Sequence, residues 1–495
     1  MQPSAKSLPP EPTANHTARW FVLVGVGLGG LMGTIDSSIV NISLPTLEKY
    51  FSANLATVEW VILGYALIMT ALTLGAARLG DILDKKKLYL AGLALFTSGS
   101  LLCAASPSIY WLIGARIVQG LGAALTSSLG FAIITQVFPP QARGKAFGIM
   151  GSIMAVGIAS GPPLGGLIIG ALSWHWVFLV NVPIGLISLA FVTRFVPKLP
   201  APNAQQRFDL PGALIMFFTL GAYALAMTLG QDRGFSDPYV LALLGVGLAG
   251  VIVFIVVERR LADPMIDFHI FRSFLFDLNL IMGFLVSSVL AGLFILPYYL
   301  EQVKNFSPLW VGLLMMIDPL GLAIVAPISG SLSDRFGSRI TSIIGLMVVC
   351  FGCLTLGALG MDTTPVGFVL HMIPIGIGMG LFMSPNNSAI MGAVPKERLG
   401  ITSGLLTLTR LLGQTTGLPI MGVLFSTTVL AAAGLPAGTD VTRAPALALV
   451  AGTQGAFHGA ALGVSLAIAI AIVAFVVDFR RKRSLALFEP AAQDD

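Results

Sequence analysis

A chain of 495 residues, 56% of them hydrophobic and only 10% charged, cannot be a water-soluble globule, since ordinary soluble domains carry about 25% charged residues. Its apolar stretches are continuous rather than alternating, which excludes a transmembrane β-barrel. The net charge of +5 comes from Lys and Arg gathered between those stretches and implies no nucleic-acid partner.

The first 18 residues are polar, and the apolar stretch after them is too long for a cleavable signal sequence, so it reads as a first span. Each stretch is around 20 residues, the length that crosses about 30 Å of hydrocarbon as helix. In chain order the runs predict helices over residues 19–46, 57–79, 86–105, 109–136, 144–171, 175–196, 210–230, 238–258, 275–301, 307–332, 339–360, 365–391, 400–430 and 456–479. Fourteen spans put both termini on one side of the bilayer. Of the 28 Lys and Arg, 22 share that side, Lys85, Lys86, Lys87 and the cluster Arg480 to Arg483 among them. Only Lys49, Arg233, Lys304 and Arg443 lie opposite, and Arg116 and Arg410 remain inside spans. The positive-inside rule therefore makes both termini cytoplasmic. The longest outer connection, around residues 431–455, is rich in Ala, Gly and Pro and carries no catalytic constellation. Cys103, Cys350 and Cys353 sit within apolar stretches, so neither a disulfide framework nor a metal site is indicated. A phosphate-binding Gly-x4-Gly-Lys-Ser/Thr loop is not found, so ATP is not expected as a partner.

Two connections on the cytoplasmic side repeat. One reads Ala77-Arg78-Leu79-Gly80-Asp81-Ile82-Leu83-Asp84-Lys85-Lys86, the other Gly330-Ser331-Leu332-Ser333-Asp334-Arg335-Phe336-Gly337-Ser338-Arg339. Parallel duplication of a half is a common plan for transporters, with the pathway at the junction of halves. The second copy resembles the Gly-x-Leu-x-Asp-Arg-x-Gly-x-Arg/Lys loop of the major facilitator superfamily; the first departs from it at Ala77, Ile82 and Asp84. Further stretches are similar to the fourteen-helix drug:proton antiporter family of that superfamily. They are Asp36 to Pro45, Arg116 to Gly122, Gly157 to Gly166 and Trp174 to Pro183, and the resemblance spans about residues 20–480.

The resemblance implies an all-α integral membrane protein with the major facilitator fold. Its expected organisation is a cytoplasmic tail (1–18), a six-helix half (19–200), two additional helices (201–262), a second six-helix half (263–480) and a cytoplasmic tail (481–495). It also implies a secondary transporter, not an enzyme, that exports lipophilic compounds, cations among them, in exchange for protons by alternating access. Expected partners are a small lipophilic substrate, protons and the lipid bilayer, with no cofactor, the chain acting as a monomer in a plasma membrane of the bacterial inner-membrane kind. Gly157, Gly161, Pro162 and Gly165 carry the pattern that, in the family, goes with antiport; by physics alone their spacing says close helix packing.

Asp36 lies well inside the first span, where an ionised carboxylate costs about 2.5–3.5 kcal/mol on insertion scales. An acid in a cavity open alternately to either side can load and release a proton, so Asp36 is the candidate for proton coupling, against the alternative of a structural polar anchor. Arg116, Gln119, Gly120, Ala123 and Ser127 form a polar and small stripe on the fourth helix. The resemblance implies that Arg116 assists proton movement. Asp318, followed by Pro319, is the second deep acid. Pro319 frees the carbonyl of Met315 and kinks the helix there. An acid beside Met315 and Met316 suits a lipophilic cation, while the plainer reading is a helix bend whose carboxylate reaches a wet cavity. Trp60, Tyr65, Tyr298, Tyr299, Gln302, Met379, Phe382, Met383, Asn386 and Asn387 are the further candidates for a cavity wall. Arg410 reads as an interface anchor. Asp81, Asp334, Arg335 and Arg339 are the candidate gating residues, with the heavier role expected for Asp334 because its loop is complete. The rival functions are translocation of a lipid or lipid-like metabolite, polar nutrient uptake, and a membrane-embedded enzyme or sensor.

The topology is open to direct test. Single cysteines placed by Ser4→Cys and Pro490→Cys should both be shielded from a membrane-impermeant thiol reagent in intact cells, and labelling of either from outside would refute the even count.

Overall fold

A computed structural model describes residues 16–53, 55–199, 209–261, 264, 266, 268–395, 398–436, 441 and 444–488. Among them are α1 (His16–Phe51), α2 (Leu55–Ile82), α3 (Lys85–Ala104), α4 (Ile109–Val137), α5 (Arg143–Ala171), α6 (His175–Leu179), α7 (Asn181–Phe195), α8 (Leu210–Arg233), α9 (Pro238–Glu258), α10 (Phe274–Leu290), α11 (Ile295–Tyr298), α12 (Pro308–Met315), α13 (Ile317–Phe336), α14 (Ser338–Leu356), α15 (Pro365–Gly392), α16 (Leu399–Ala433) and α17 (Ala446–Phe488). By length and composition they make 14 membrane spans.

The helices start where the sequence supplies acceptors for orphan N–H groups. Asp84 accepts from the nitrogens of Lys86 and Lys87 at the head of α3, Ser108 from Trp111 at the head of α4, Asp237 from Tyr239 and Val240 at α9, and Thr364 from Gly367 at α15. Three spans are built in pieces: α6 and α7 meet at Val180, α10 passes through a 3-10 turn into α11 and a π turn at Tyr299–Val303, and α12 meets α13 at Met316. The last break lies where Pro319 removes the donor for the Met315 carbonyl.

The final span departs from its expected bounds. It ends at Arg480, beside the expected 479, while the helix itself continues to Phe488, but it begins at Ala446 rather than 456, so the expected connection of residues 431–455 shrinks to the stretch between Ala433 and Ala446. Its small-residue composition reads as loop, but Pro445 precedes the first turn and the turn is packed. Thr453 Oγ1 donates to Leu449 O at 2.9 Å, Gln454 Nε2 to Leu359 O at 2.7 Å, and Leu449 and Val450 are buried.

Helices approach closely where glycine removes the side chain. A Cβ on Gly122 of α4 would collide with the Phe96 backbone of α3, and one on Gly345 of α14 would lie 2.7 Å from the nitrogen of Phe382 on α15. Apolar clusters fill the spaces between: one within α1–α7 around Ile39, Leu112 and Phe178, one within α10–α17 around Leu346, Phe382 and Phe457, and one shared around Phe96, Phe147 and Ile390. The two spans between the sixth and the last six take a lateral place. α8 packs on α2 and α16, with Tyr223 Oη hydrogen-bonded to Thr416 Oγ1, and α9 lies over α8. Only 17% of the α9 window is buried by protein, so its surface is left to lipid.

Gly122→Val should lower the melting temperature of the purified protein in detergent, because overpacking costs about 1–3 kcal/mol or more where backbone cannot yield. Gly114→Val on the same helix, where a Cβ meets nothing within 4 Å, should leave it unchanged; equal shifts would show that helix propensity and not the α3–α4 contact sets the cost.

Candidate functional site

α4 places Arg116 and Gln119 one turn apart, facing Asp36 of α1. Arg116 Nη1 donates to Asp36 Oδ2 at 2.6 Å, while Asp36 Oδ1 accepts from Gln119 Nε2 at 2.7 Å and Asn181 Nδ2 of α7 at 2.8 Å. Arg116 is tied further, through Nε to Val61 O of α2 at 2.9 Å and through Nη1 to Gln119 Oε1 at 2.6 Å. Its guanidinium lies 4.2 Å from the ring centre of Tyr65. Gln119 Nε2 also meets Ser100 Oγ of α3 at 2.9 Å. Asp36, Ser100, Gln119 and Asn181 are 0% exposed and Arg116 1%. The hydrogen-bond network around this one carboxylate thus ties five helices together. Close beside it, Gly157 and Gly161 bring α5 onto α1: Ser38 Oγ donates to Gly157 O at 3.4 Å, and a Cβ on either glycine would collide with Thr34 or Ser38. Pro162 follows within α5, and Gly165 is buried.

The repeated loops meet helix beginnings. Asp81, at the end of α2, accepts from the nitrogens of Gly400 and Ile401 at 2.8 and 2.9 Å, at the start of α16. Asp334, near the end of α13, accepts from Gly144 and Lys145 at 3.2 Å each, at the start of α5. Each carboxylate thereby satisfies orphan N–H groups at the positive end of a helix from the other six-span set. Glycine permits both approaches. A Cβ on Gly144 would lie 2.7 Å from Gly330 O, and one on Gly400 2.7 Å from Ala77 O. Ala77, where the first loop departs from the repeat, occupies the place that Gly330 holds in the second. Ser152 Oγ to Ala323 O at 2.5 Å, Ser384 Oγ to Gly144 O at 2.9 Å and Thr407 Oγ1 to Ser127 O at 3.3 Å are further hydrogen bonds joining α1–α7 to α10–α17. Apart from Ala323, these groups lie in the half of their helices nearest the face where α1 begins and α17 ends. That face is closed.

The loop basics play different parts. Arg339 Nη1 donates to Asn279 Oδ1 at 2.8 Å, fixing the head of α14 to α10, and Arg335 lies exposed beside Phe336.

Between α10, α15 and α16 lies a small cavity, with room for about a water molecule, walled by Met379, Phe382, Met383, Asn386, Asn387 and Arg410 among others. A second small cavity is lateral, between Trp60, Leu67 and Thr70 of α2, Ala224 and Leu225 of α8 and Thr415 of α16. Met379, Phe382, Met383, Asn386 and Asn387, expected on a cavity wall, are therefore brought together in the first cavity, and Trp60 lines the second. The others are placed elsewhere. Tyr65 is stacked on Arg116; Tyr299 is buried with its hydroxyl donating to Gly360 O at 2.7 Å; Tyr298 and Gln302 are exposed; Met315 packs against the α10–α17 apolar cluster. Asp318 is partly buried, its Oδ1 without a hydrogen-bond partner, and it walls neither cavity. Arg410, read from sequence as an interface anchor, instead stands in the cavity wall with Nη2 on Asn387 Oδ1 at 2.8 Å. Asn181 and Ser100 also join the Asp36 cage without having been singled out; Asn181 lies in the Trp174 to Pro183 motif, whereas nothing around Ser100 marks it.

A family model described as Major Facilitator Superfamily matches residues 26–418. The chain is 33% identical over 417 residues to the riboflavin transporter RibZ of Clostridioides difficile, covering 82% of this chain and 88% of that protein. It is 33% identical over 407 residues to the multidrug resistance protein Stp of Mycobacterium tuberculosis, covering 81% and 75% respectively, and 28% identical over 413 residues to the multidrug transporter protein MdtP of Bacillus subtilis, covering 83% and 76%. Among solved structures, the human organic anion transporter MFSD10 shares the fold, with a TM-score of 0.62 at 15% identity over 94% of this chain and all of that one.

Burial sets an order of stability cost for the two loop acids that is separate from the heavier gating role expected of Asp334. Asp81 is 0% exposed and pairs with buried Lys85 at 3.3 Å, whereas Asp334 is exposed. Breaking a buried pair from one side costs about 3–5 kcal/mol, so Asp81→Asn should lower the melting temperature of the purified full chain by several degrees and Asp334→Asn by clearly less. Equal shifts, or a larger one for Asp334→Asn, would remove the argument from burial.

Proposed function

Because the chain belongs to the major facilitator superfamily, and is thus a multi-pass membrane transporter and not an enzyme, we propose that it exports lipophilic compounds in exchange for protons by alternating access of the two six-span sets. The observation that carries this reading is the Asp36 cage, a fully buried carboxylate with three side-chain donors. A protonated carboxyl keeps only part of its acceptor capacity, and an uncompensated guanidinium in such a site is strongly unfavourable. Proton arrival at Asp36 would therefore force Arg116 to find another partner and loosen α1 from α4 and α7. α5 is pressed onto α1 by Gly157 and Gly161 and carries at its head the nitrogens that Asp334 holds, so a shift of α1 has a mechanical route to the closed seam.

The basic asymmetry of the sequence assigns the closed face to the cytoplasm, which makes this the conformation in which substrate leaves and a proton enters from outside. The largely apolar walls of the cavity suit lipophilic compounds, and relatives named as multidrug and riboflavin transporters make ring compounds reasonable cargo.

In liposomes with an imposed pH gradient, Asp36→Asn should lose gradient-driven transport while ligand still binds in detergent, since Asn keeps size and hydrogen bonding but cannot titrate. Full gradient-driven transport by this variant would remove Asp36 from coupling, and its loss in Asp318→Asn alone would move the role to Asp318.

A further inference from the structure

Among the described residues, Arg410 is a cation without a counter-charge. It is the twelfth of the 35 residues of α16, about 16 Å along the helix by rise, and thus in the third of the helix nearest the closed face. Its partners are neutral: Asn387 Oδ1 at 2.8 Å and the ring of Phe131 on α4, whose centre is 5.3 Å away. No acidic residue walls its cavity, and among the described residues no carboxylate stands within ion-pair distance. Arg116 shows the contrast, being buried in the same membrane with Asp36 at 2.6 Å. A guanidinium has five N–H donors in a fork that fits an oxyanion, and Asn387 occupies one.

The opposite demand lies on the same wall. Asn386 is 2% exposed; its Nδ2 is turned to Asn279 O at 3.3 Å, and Oδ1 is left with no hydrogen-bond partner. Since Asn279 O can only accept, the amide orientation is fixed and a buried acceptor of this wall residue has no donor among the described residues. The cavity therefore offers donors from Arg410, an acceptor from Asn386, and apolar walls from Val286, Met379, Phe382 and Leu406.

We propose that Arg410 is the binding anchor for an oxyanion carried by the substrate, so that the preferred cargo is an organic anion with an apolar body and a neighbouring N–H or O–H. The inference rests on the transporter reading above and narrows its substrate; it replaces the cationic preference that the sequence suggested from Asp318. The anion supplies the charge that Arg410 lacks, its donor meets Asn386 Oδ1, and its rings meet Phe382 and the methionines. Phe131 belongs to α4, so the anion binds where the two six-span sets touch.

The test uses two three-ring dyes of similar size, fluorescein as the anion and rhodamine 123 as the cation. Binding is measured by fluorescence polarisation to the full-length protein in phosphatidylcholine nanodiscs without any gradient. The wild type should prefer fluorescein, and Arg410→Gln should weaken it about tenfold or more, as expected when a hydrogen bond to a charged group is lost, with rhodamine 123 unweakened. Arg410→Lys, which keeps the charge, should retain most of the fluorescein affinity, and this identifies any loss in Arg410→Gln that comes only from misfolding. Preference for rhodamine 123, or fluorescein binding indifferent to Arg410→Gln, overturns the proposal. Displacement of fluorescein by phosphatidylglycerol through Arg410 would assign the oxyanion to a lipid headgroup and overturn it for a soluble substrate. Gradient-driven flux of fluorescein in liposomes is measured separately: binding without flux faults the proton-exchange reading and leaves the anion site standing, whereas flux without dependence on Arg410 does the reverse.

Discussion

Inside the hydrocarbon layer there is no water to complete a hydrogen bond, so each polar group must be answered from the protein itself. Around Asp36 that demand is met at every side-chain atom of the cage but Asn181 Oδ1, and the way it is met organises α1, α2, α3, α4 and α7. The carboxylate holds Arg116, Gln119 and Asn181; Arg116 in turn holds the Val61 carbonyl, and Gln119 holds Ser100. No member can change its partner without leaving another buried and unpaired. Such a network behaves as one unit with few acceptable arrangements.

At the membrane surface the same demand is met in a looser way. Asp81 and Asp334 hold helix ends rather than side chains, and once the seam parts both the carboxylate and the N–H groups can be taken over by water. These contacts are accordingly suited to being made and broken. They are also unequal: Asp81 is sealed together with Lys85, while Asp334 is exposed and unaccompanied. The α5–α13 seam is thus the softer of the two, and α5 is also the helix pressed against Asp36's own.

Much of this was legible beforehand, for a physical reason. Spans are long apolar runs whose number and order need no tertiary information, and Lys and Arg mark their ends. Asp36 and Arg116 stand out because charge within a span is rare. What stayed hidden depended on neighbours. Arg410 looked like an anchor because sequence gives its distance from the start of a helix and not what lies across from it. Tyr65 and Tyr299 looked like cavity residues, yet one is stacked on a guanidinium and the other bonded to Gly360 O, partners remote in the chain. The final helix began earlier than its composition suggested because Ala, Gly and Thr serve equally in a loop and in a tight helix contact, and only the packing against Leu359 and its surroundings decides between them.

The pair α8 and α9 has a consequence that lies in arithmetic. Each span carries the chain to the opposite face, so two return it to the face it left, and α16 consequently begins on the same side as α5. Had a single span been added at that point, every later helix would run in reverse. Asp81 would then face the carbonyl end of α16, a negative pole instead of a positive one, and the closed seam would become a repulsion. Growth between the sixth and the last six spans can therefore proceed only by even steps.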